Sequence, residues 1–546
     1  MIVGALRAGL EELAREHPGF EAAAVDIQVT PPTRKDHGDY ASNVALIAAG
    51  MMEVRDRRGL AEVLAGSLRF PEGTVRRVEV AGPGFLNFFI DDGWYQSLVA
   101  QIVADDTAYG HLAVGQGRRV LVEFVSANPT GPLTVGHGRN AILGDVIARL
   151  YEAAGYEVVR EYYFNNAGRQ MRVLGQSLRA RYRELLGLDP EFPEEGYEGG
   201  YLSEIAVSLR DEQGDTLADG PLDPFRLYAE QAIFAEIRRT CERMGISFDR
   251  YFNEHTLYTN GAIDQVVEQL RAKDLAYDHD GAVWFRGTRL GLEKDPVIIK
   301  SSGEPTYRLP DIAYHRDKLS RGFDHIVDIF GADHIDTCQE VLAALRALGE
   351  QTDSIHVVLY QFVTLSRGGV QVKMSTRKAN FETLDDLLDE VGPDAVRYFF
   401  AMRSPRSHME FDLDLAKSQA NDNPMYYVQY AHARICSMLG KPEAQELLAE
   451  PLDLAALEHE AERALVTQLA LLPEALQRAL TEHEPHRLTT FAAEVATAFH
   501  AFYDRCPVLA AESCRVGRAR LELVRAARVV LRNILTMIGV TAPESM

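Results

Sequence analysis

The sequence predicts a multidomain α/β chain. A doubly wound, mostly parallel sheet lies in the middle, a smaller mixed α/β region precedes it, and an all-helical region follows. Three observations carry this. Strand-like and helix-like segments alternate between residues 111 and 415, the βαβ grammar of a parallel sheet with helices on both faces. Residues 1–110 mix an amphipathic helix with two β-rich runs, and residues 416–546 repeat apolar positions every three or four residues. A length of 546 residues agrees, since about 150 residues per domain suggests three or four domains.

In the first region, Leu6, Leu10 and Leu13 share one face of a helix. Val75–Ile90 holds two β-rich runs around the turn Gly82-Pro83-Gly84. Asp105–Gly117 is a polar junction that suits a boundary. In the middle region Val120–Val125 is an apolar strand broken only by Glu123. A helix begins near Gly136, with Ile142, Leu143, Val146, Ile147 and Leu150 on one face. Further strands are expected at Val297–Lys300, His325–Phe330 and His356–Tyr360. In the last region Ala455–Ala479, Arg487–Tyr503 and Arg515–Ile538 read as helices, the last with Leu523, Ala527, Val530 and Ile534 on one face.

Composition is ordinarily globular, with 46% hydrophobic and 25% charged residues, which excludes disorder or a disulfide scaffold for the whole chain. Five widely spaced cysteines without a CxxC give no zinc signal and suit a reducing cytosol. No apolar run reaches the roughly 18 residues of a membrane span, and the N-terminus lacks a signal-peptide core. The net charge of −23 taken alone argues against a nucleic-acid partner. Its distribution is uneven. Glu184–Gln231 holds 13 acidic residues and 2 arginines, a net −11 that reads as a solvated insertion, whereas Arg505–Arg532 holds 7 arginines and 2 glutamates. Arg518, Arg525, Arg528 and Arg532 form a stripe that suits either a snorkelling solvent face or an RNA-facing surface.

Two motifs handle phosphate. The first strand runs into a Pro/Gly loop, and a helix opens at Thr134-Val-Gly136-His137. Free N–H groups and the dipole at such a helix start favour an anion. Gly136 lets a flat base or ribose approach the backbone, and His137 can donate to a phosphate oxygen as charge builds there. The second motif, Lys373-Met374-Ser375-Thr376-Arg377-Lys378, follows a Gly-Gly turn and puts three cations and hydroxyls on a hinged loop suited to a leaving pyrophosphate. A third element, Phe330-Gly331-Ala332-Asp333-His334, ends a strand between them.

Together these resemble the HxGH and KMSKS signatures of class I aminoacyl-tRNA synthetases, in the same order, with the Gly-x-Asp that in that class holds the ATP ribose. Thr134 stands where the first His is usual, and Thr376 where a Lys is usual. The surrounding residues are similar to the bacterial type of the arginyl-tRNA synthetase family over nearly the whole chain. They include Gly38-Asp39-Tyr40-Ala41-Ser42-Asn43, Gly82–Phe88, Ser126-Ala-Asn128-Pro-Thr-Gly, Asp311–Lys318, Asn423–Arg434 and the closing Ala-Pro-Glu-Ser-Met546.

The resemblance implies residues 1–110 as a domain that reads the tRNA D-loop, residues 111–415 as a Rossmann-like catalytic domain with the insertion at about 184–231, and residues 416–546 as an anticodon-binding bundle. It implies arginine contacts from Glu123, Ser126, Asn128, Tyr307 and Asp311. A carboxylate can accept from a guanidinium at two points and reject the point charge of lysine, and either carboxylate suits either end of the substrate. ATP contacts are implied for Gly136, His137, Gly331, Asp333, His334, Lys373, Met374 and Ser375. Thr134, His137, Lys373 and Arg377 are the implied catalytic set. Phe85, Asn87, Tyr427, Tyr430, Arg434 and Met546 match tRNA-contacting positions, with aromatics stacking on unpaired bases, although core packing of one tyrosine fits the pattern as well. The implied activity is ligation of L-arginine to tRNA(Arg) with Mg-ATP as the substrate complex, through arginyl-adenylate, with tRNA needed for activation. The implied protein is a cytoplasmic monomer without a structural metal.

Overall fold

The computed structural model describes residues 1–30, 32, 34–372 and 383–546. Compactness divides the chain into two units, each drawn from separated segments. One comprises Met1–Tyr109, Ile435–Ala470 and Thr497–Val530, and the other Gly110–Arg434, Leu471–Ala496 and Leu531–Met546.

In the first unit the helix Ile2–Glu16 buries Leu6, Leu10 and Leu13, the face that their spacing predicts. The two β-rich runs form the strands Val75–Ala81 and Phe85–Ile90, paired antiparallel, with Tyr40–Ser42 on the other side of the second. The hydroxyl of Tyr109 donates to the carbonyl of Leu469, 3.1 Å away, which ties the end of the N-terminal segment to a later helix of the same unit. The terminal helix runs Cys514–Ile538. Of the stripe, Arg518 departs from both readings, whereas Arg525, Arg528 and Arg532 are half-buried. Arg518 and Arg520 are buried, Arg518 paired with Glu522 and Arg520 with Glu462 and Glu512. Arg525 also pairs with Glu522.

The second unit is built on a five-stranded parallel sheet. Its order is Ile355–Tyr360, His325–Gly331, Arg119–Glu123, Glu157–Phe164 and Arg250–Asn253. On one face Leu121, Tyr163 and Ile326 join a core with Leu309, Ile312, Ala313 and Tyr314 of the helix Arg308–Ser320 and with Val341, Ala344 and Leu345 of the helix Ile335–Leu348. The helix Val135–Ala153 packs against the sheet as well, close enough that a Cβ on Gly144 would strike the ring of Phe124. The sheet thus holds the first signature helix by a close backbone approach.

Two strand expectations are corrected, and the acidic insertion gains a form. Val297–Ile299 is a strand but lies outside the parallel sheet, in an antiparallel sheet with Ala276–His279 and Ala282–Phe285. A short β-branched run carries no information about its partner. The strand expected over Val120–Val125 stops at Glu123, because Val125 and Ser126 take φ values of 65° and 43° and turn the chain out of the sheet. The acidic insertion is largely helical, with Gly200–Gln213 burying Leu202, Ile205, Ala206 and Leu209 and Asp223–Arg243 beginning on a Leu-Asp-Pro entry. Among the described residues no helix is long and apolar enough to cross a membrane.

Candidate active site

The site grows from the carboxyl ends of two neighbouring parallel strands, Arg119–Glu123 and His325–Gly331. Ligands bind at such ends in open α/β sheets. Left-handed φ at a β-branched residue is costly, and here the surroundings impose it. The N–H of Val125 donates to Oδ1 of Asn140 at 2.5 Å. Nδ2 of Asn140 in turn donates to the carbonyl of Ile329 at 2.8 Å. One buried amide on the signature helix thereby ties the ends of both strands together. Sequence reasoning missed Asn140, and its only signal is a polar residue on the inner face of that helix.

At the helix start, the backbone N–H of Thr134 donates to Nδ1 of His137 at 3.0 Å, and the Thr134 hydroxyl lies 3.1 Å from the same nitrogen. A nitrogen that accepts carries no proton, so the neutral ring holds its proton on Nε2. Burial moves the His137 pKa below its ordinary value, which keeps the ring neutral at physiological pH. The residue that replaces the usual first His is therefore a direct partner of the second. A Cβ on Gly136 would meet nothing nearer than Thr134 Oγ1 at 3.7 Å, so the face above this glycine is open. At the other strand end, a Cβ on Gly331 would sit 2.4 Å from Oδ1 of Asp333, so a side chain there would push that carboxylate out of its present position. Asp333 and His334 are exposed.

Beneath this mouth runs a row of buried carboxylates. Asp328, Glu123 and Glu161 lie in register on three adjacent strands and face the same way. Like charges side by side repel, and one covering helix supplies the answer. Nζ of Lys318 donates to Oε2 of Glu123 at 2.5 Å and to Oδ1 of Asp328 at 2.6 Å. Arg321 grips Glu161 at 2.6 and 2.8 Å, and the Tyr314 hydroxyl adds a third bond at 2.6 Å. Ser126 Oγ donates to the remaining oxygen of Glu123 at 2.8 Å. Burial raises the Glu123 pKa against the pull of Lys318. Burial also works to raise Asp328, but Lys318 and His315 outweigh it and hold that carboxyl low. Both Glu123 oxygens are thus already engaged within the fold.

Asp311 differs. It lies one helical turn before His315, whose Nδ1 is 2.8 Å from the Asp311 carbonyl and whose Nε2 is 3.0 Å from Asp328. Burial, with Glu123 and Glu254 adding to it against His315, pushes the Asp311 carboxyl up to about 7. Asp311 and His315 line a narrow pocket with Phe330, His334 and Cys338. One implied arginine contact and one implied ATP contact therefore line a single cavity. Tyr307 is 67% exposed, and Asn128 is exposed at the tip of its loop. Lys373, Met374, Ser375, Thr376, Arg377 and Lys378 lie outside the described residues.

Of the tRNA-contacting positions, Phe85 is 41% exposed while Asn87 is only 4% exposed, within its strand. Tyr427, Tyr430 and Arg434 are half-buried on the helix Pro424–Leu439. Tyr426, which the sequence reading did not single out, stacks on Tyr430 with centroids 6.0 Å apart, and the Arg434 guanidinium lies over the Tyr430 ring, 5.9 Å from its centroid. Nδ1 of His432 is 2.9 Å from the Pro543 carbonyl, which docks the tail on this helix and leaves Met546 57% exposed.

A parallel sheet with an anion-ready helix start after one strand and a Gly-x-Asp after its neighbour defines the catalytic domain of a class I aminoacyl-tRNA synthetase. Comparison with known proteins agrees. Residues 98–194 and 223–402 match the family of class I (R) tRNA synthetase catalytic domains, residues 2–90 the arginyl-tRNA synthetase N-terminal domain, and residues 428–546 the DALR anticodon-binding domain. The arginine–tRNA ligase of Desulfotalea psychrophila is 51% identical over 519 residues, 94% of each chain, and that of Chlorobium luteolum is 49% identical over 533 residues, 95% of this chain and 96% of the other. The solved Thermus thermophilus arginyl-tRNA synthetase superposes with a TM-score of 0.78 at 22% identity and full coverage of both chains. The chain belongs to the arginyl-tRNA synthetase family.

Proposed function

We propose that the chain esterifies tRNA(Arg) with L-arginine in two steps. The arginine carboxylate attacks the α-phosphate of Mg-ATP, so a C–O–P bond forms and the bond to pyrophosphate breaks. A hydroxyl of the terminal tRNA adenosine, first the 2′-OH, then takes the arginyl group, and AMP leaves. Family membership supports the reading, and the single structural observation that carries it is the cavity shared by Asp311 and His334 at the strand ends. No protein nucleophile is needed, because positioning and charge stabilisation supply the rate.

The neutral Nε2–H of His137 donates to the phosphate as charge develops, with Thr134 fixing the ring from behind. The open face of Gly136 receives the nucleoside, and Asp333 accepts from the ribose hydroxyls with His334 beside it. Lys373 and Arg377 neutralise the departing pyrophosphate, and Met374 and Ser375 contact the ATP. Glu123 and Ser126 form the fixed floor, and Asp311 is the carboxylate that meets the arginine cation, with Tyr307 and Asn128 at the rim. Asp311 is preferred because Glu123 already has one oxygen on Lys318 and the other on Ser126.

Residues 1–110 engage the D-loop through Phe85 and Asn87. Residues 111–415 are catalytic, and residues 416–546 read the anticodon through Tyr427, Tyr430, Arg434 and Met546. The protein acts as a cytoplasmic monomer, and tRNA must bind before arginine is activated. Arginine-dependent ATP–pyrophosphate exchange tests this. Exchange is expected with tRNA(Arg) present and not without it. Exchange without tRNA removes the ordered step, and no exchange in either arm removes the reading.

A further inference from the structure

The catalytic-domain family match skips residues 195–222, inside the acidic insertion. That segment nevertheless reaches the loop that carries Asn128. The hydroxyl of Tyr201, on the first turn of the helix Gly200–Gln213, donates to the carbonyl of Thr130 at 2.5 Å, and its ring sits against Gly131. Tyr197 lies near Thr130 and Tyr307, close enough for its phenol to feel both. On the opposite shoulder of the same turn, the hydroxyl of Tyr162 donates to the carbonyl of Ala127 at 2.8 Å. Asn128 is therefore displayed between two phenol-held carbonyls, one held by the core sheet and one by the insertion.

The insertion is itself fastened. The N–H of Tyr197 donates to the buried Ser177 Oγ at 2.9 Å, and Arg181 donates to the Glu198 carbonyl at 3.0 Å. Both anchors belong to the helix Gly168–Leu185. A short turn with one shoulder released gains rotational freedom, and its tip side chain loses the preorganisation that recognition needs.

We propose that Tyr201, assisted by Tyr197, is a positioning residue for arginine. The insertion braces the Ala127–Gly131 turn so that Asn128 meets the substrate. The inference rests on the arginine-site reading given above. Its test compares steady-state charging by Tyr201→Phe, Tyr182→Phe and Asn128→Ala. Tyr182 is the matched control, since its hydroxyl donates to the carbonyl of Gly214, also at 2.5 Å, at the far end of the same helix.

Loss of one such hydrogen bond corresponds to about a fivefold rise in the arginine KM for Tyr201→Phe. The KM for ATP and the arginine KM of Tyr182→Phe should stay at wild-type values, while both phenylalanine variants lose similar amounts of Tm. Equal KM effects from both phenylalanine variants, or parallel rises for arginine and ATP, would mean a merely structural bond and overturn the brace. So would an unchanged arginine KM in Tyr201→Phe while Asn128→Ala raises it. An unchanged arginine KM in Asn128→Ala overturns the reading of the loop, and the brace with it.

Discussion

The two charge extremes of the chain, the acidic insertion and the arginine-rich terminal helix, look like opposites and are built by the same device. In the insertion, carboxylates pair with arginines of the neighbouring helix Gly168–Leu185: Arg169 with Glu195, Arg179 with Glu191, and Arg183 with both Glu191 and Asp219. In the terminal helix, Arg518, Arg520 and Arg525 pair with Glu522, Glu462 and Glu512. The difference is burial. Arg169 and Glu195 are mostly exposed, whereas Arg520 and Glu462 are both sealed in the bundle. Regional net charge therefore does not say what a polyanion would meet, because partners outside the counted window consume it. The two regions should also respond very differently to the loss of one charge.

The largest effect belongs to the buried pair. Glu462→Gln removes the buried countercharge of the Arg520 guanidinium, leaving it only the exposed Glu512, and should cost about 3 kcal/mol in chemical denaturation. A loss under about 1 kcal/mol would mean that Glu512 and the Pro507 carbonyl suffice for Arg520 and would erase the contrast.

The site supplies an intermediate case, a half-buried carboxylate awaiting an outside cation. With its pKa at about 7, Asp311 is neutral below that pH and anionic above it, so only the high-pH form pairs with a guanidinium. The arginine KM should fall about tenfold between pH 6 and pH 8. Asp311→Asn should flatten that profile at its acid-side value. A flat wild-type profile would instead assign the cation to another group.

The smallest effect belongs to the exposed pair. Arg169→Ala should change stability by less than about 1 kcal/mol, and less still at high salt. A loss as large as that of Glu462→Gln would show that the insertion depends on its charges for folding.

How much of this was legible in the sequence depended on range. The signature loop, the helix after it, the N-terminal hairpin and the terminal helix follow from local pattern, and each appears where its spacing put it. Pairing did not follow. Val297–Ile299 reads as a strand, but nothing within three residues says which sheet will take it. Lys318 was visible only as part of a family motif. Asp311, His315 and Lys318 stand at i, i+4 and i+7, one helical stripe. Such a stripe ordinarily marks a solvent face, and only the register of Asp328, Glu123 and Glu161 shows that it covers buried anions. Asn140 and Tyr201 were silent for the same reason, since each acts on a backbone carbonyl or amide that sequence reasoning cannot locate.

The central claim is that this geometry charges tRNA(Arg) with arginine. Purified protein, Mg-ATP and tRNA(Arg) incubated with radiolabelled arginine or radiolabelled lysine test it directly. The account predicts acid-precipitable arginyl-tRNA and no lysyl-tRNA, because a carboxylate chosen for a forked donor gains little from a point charge. No arginyl ester, or equal charging of both amino acids, would contradict it.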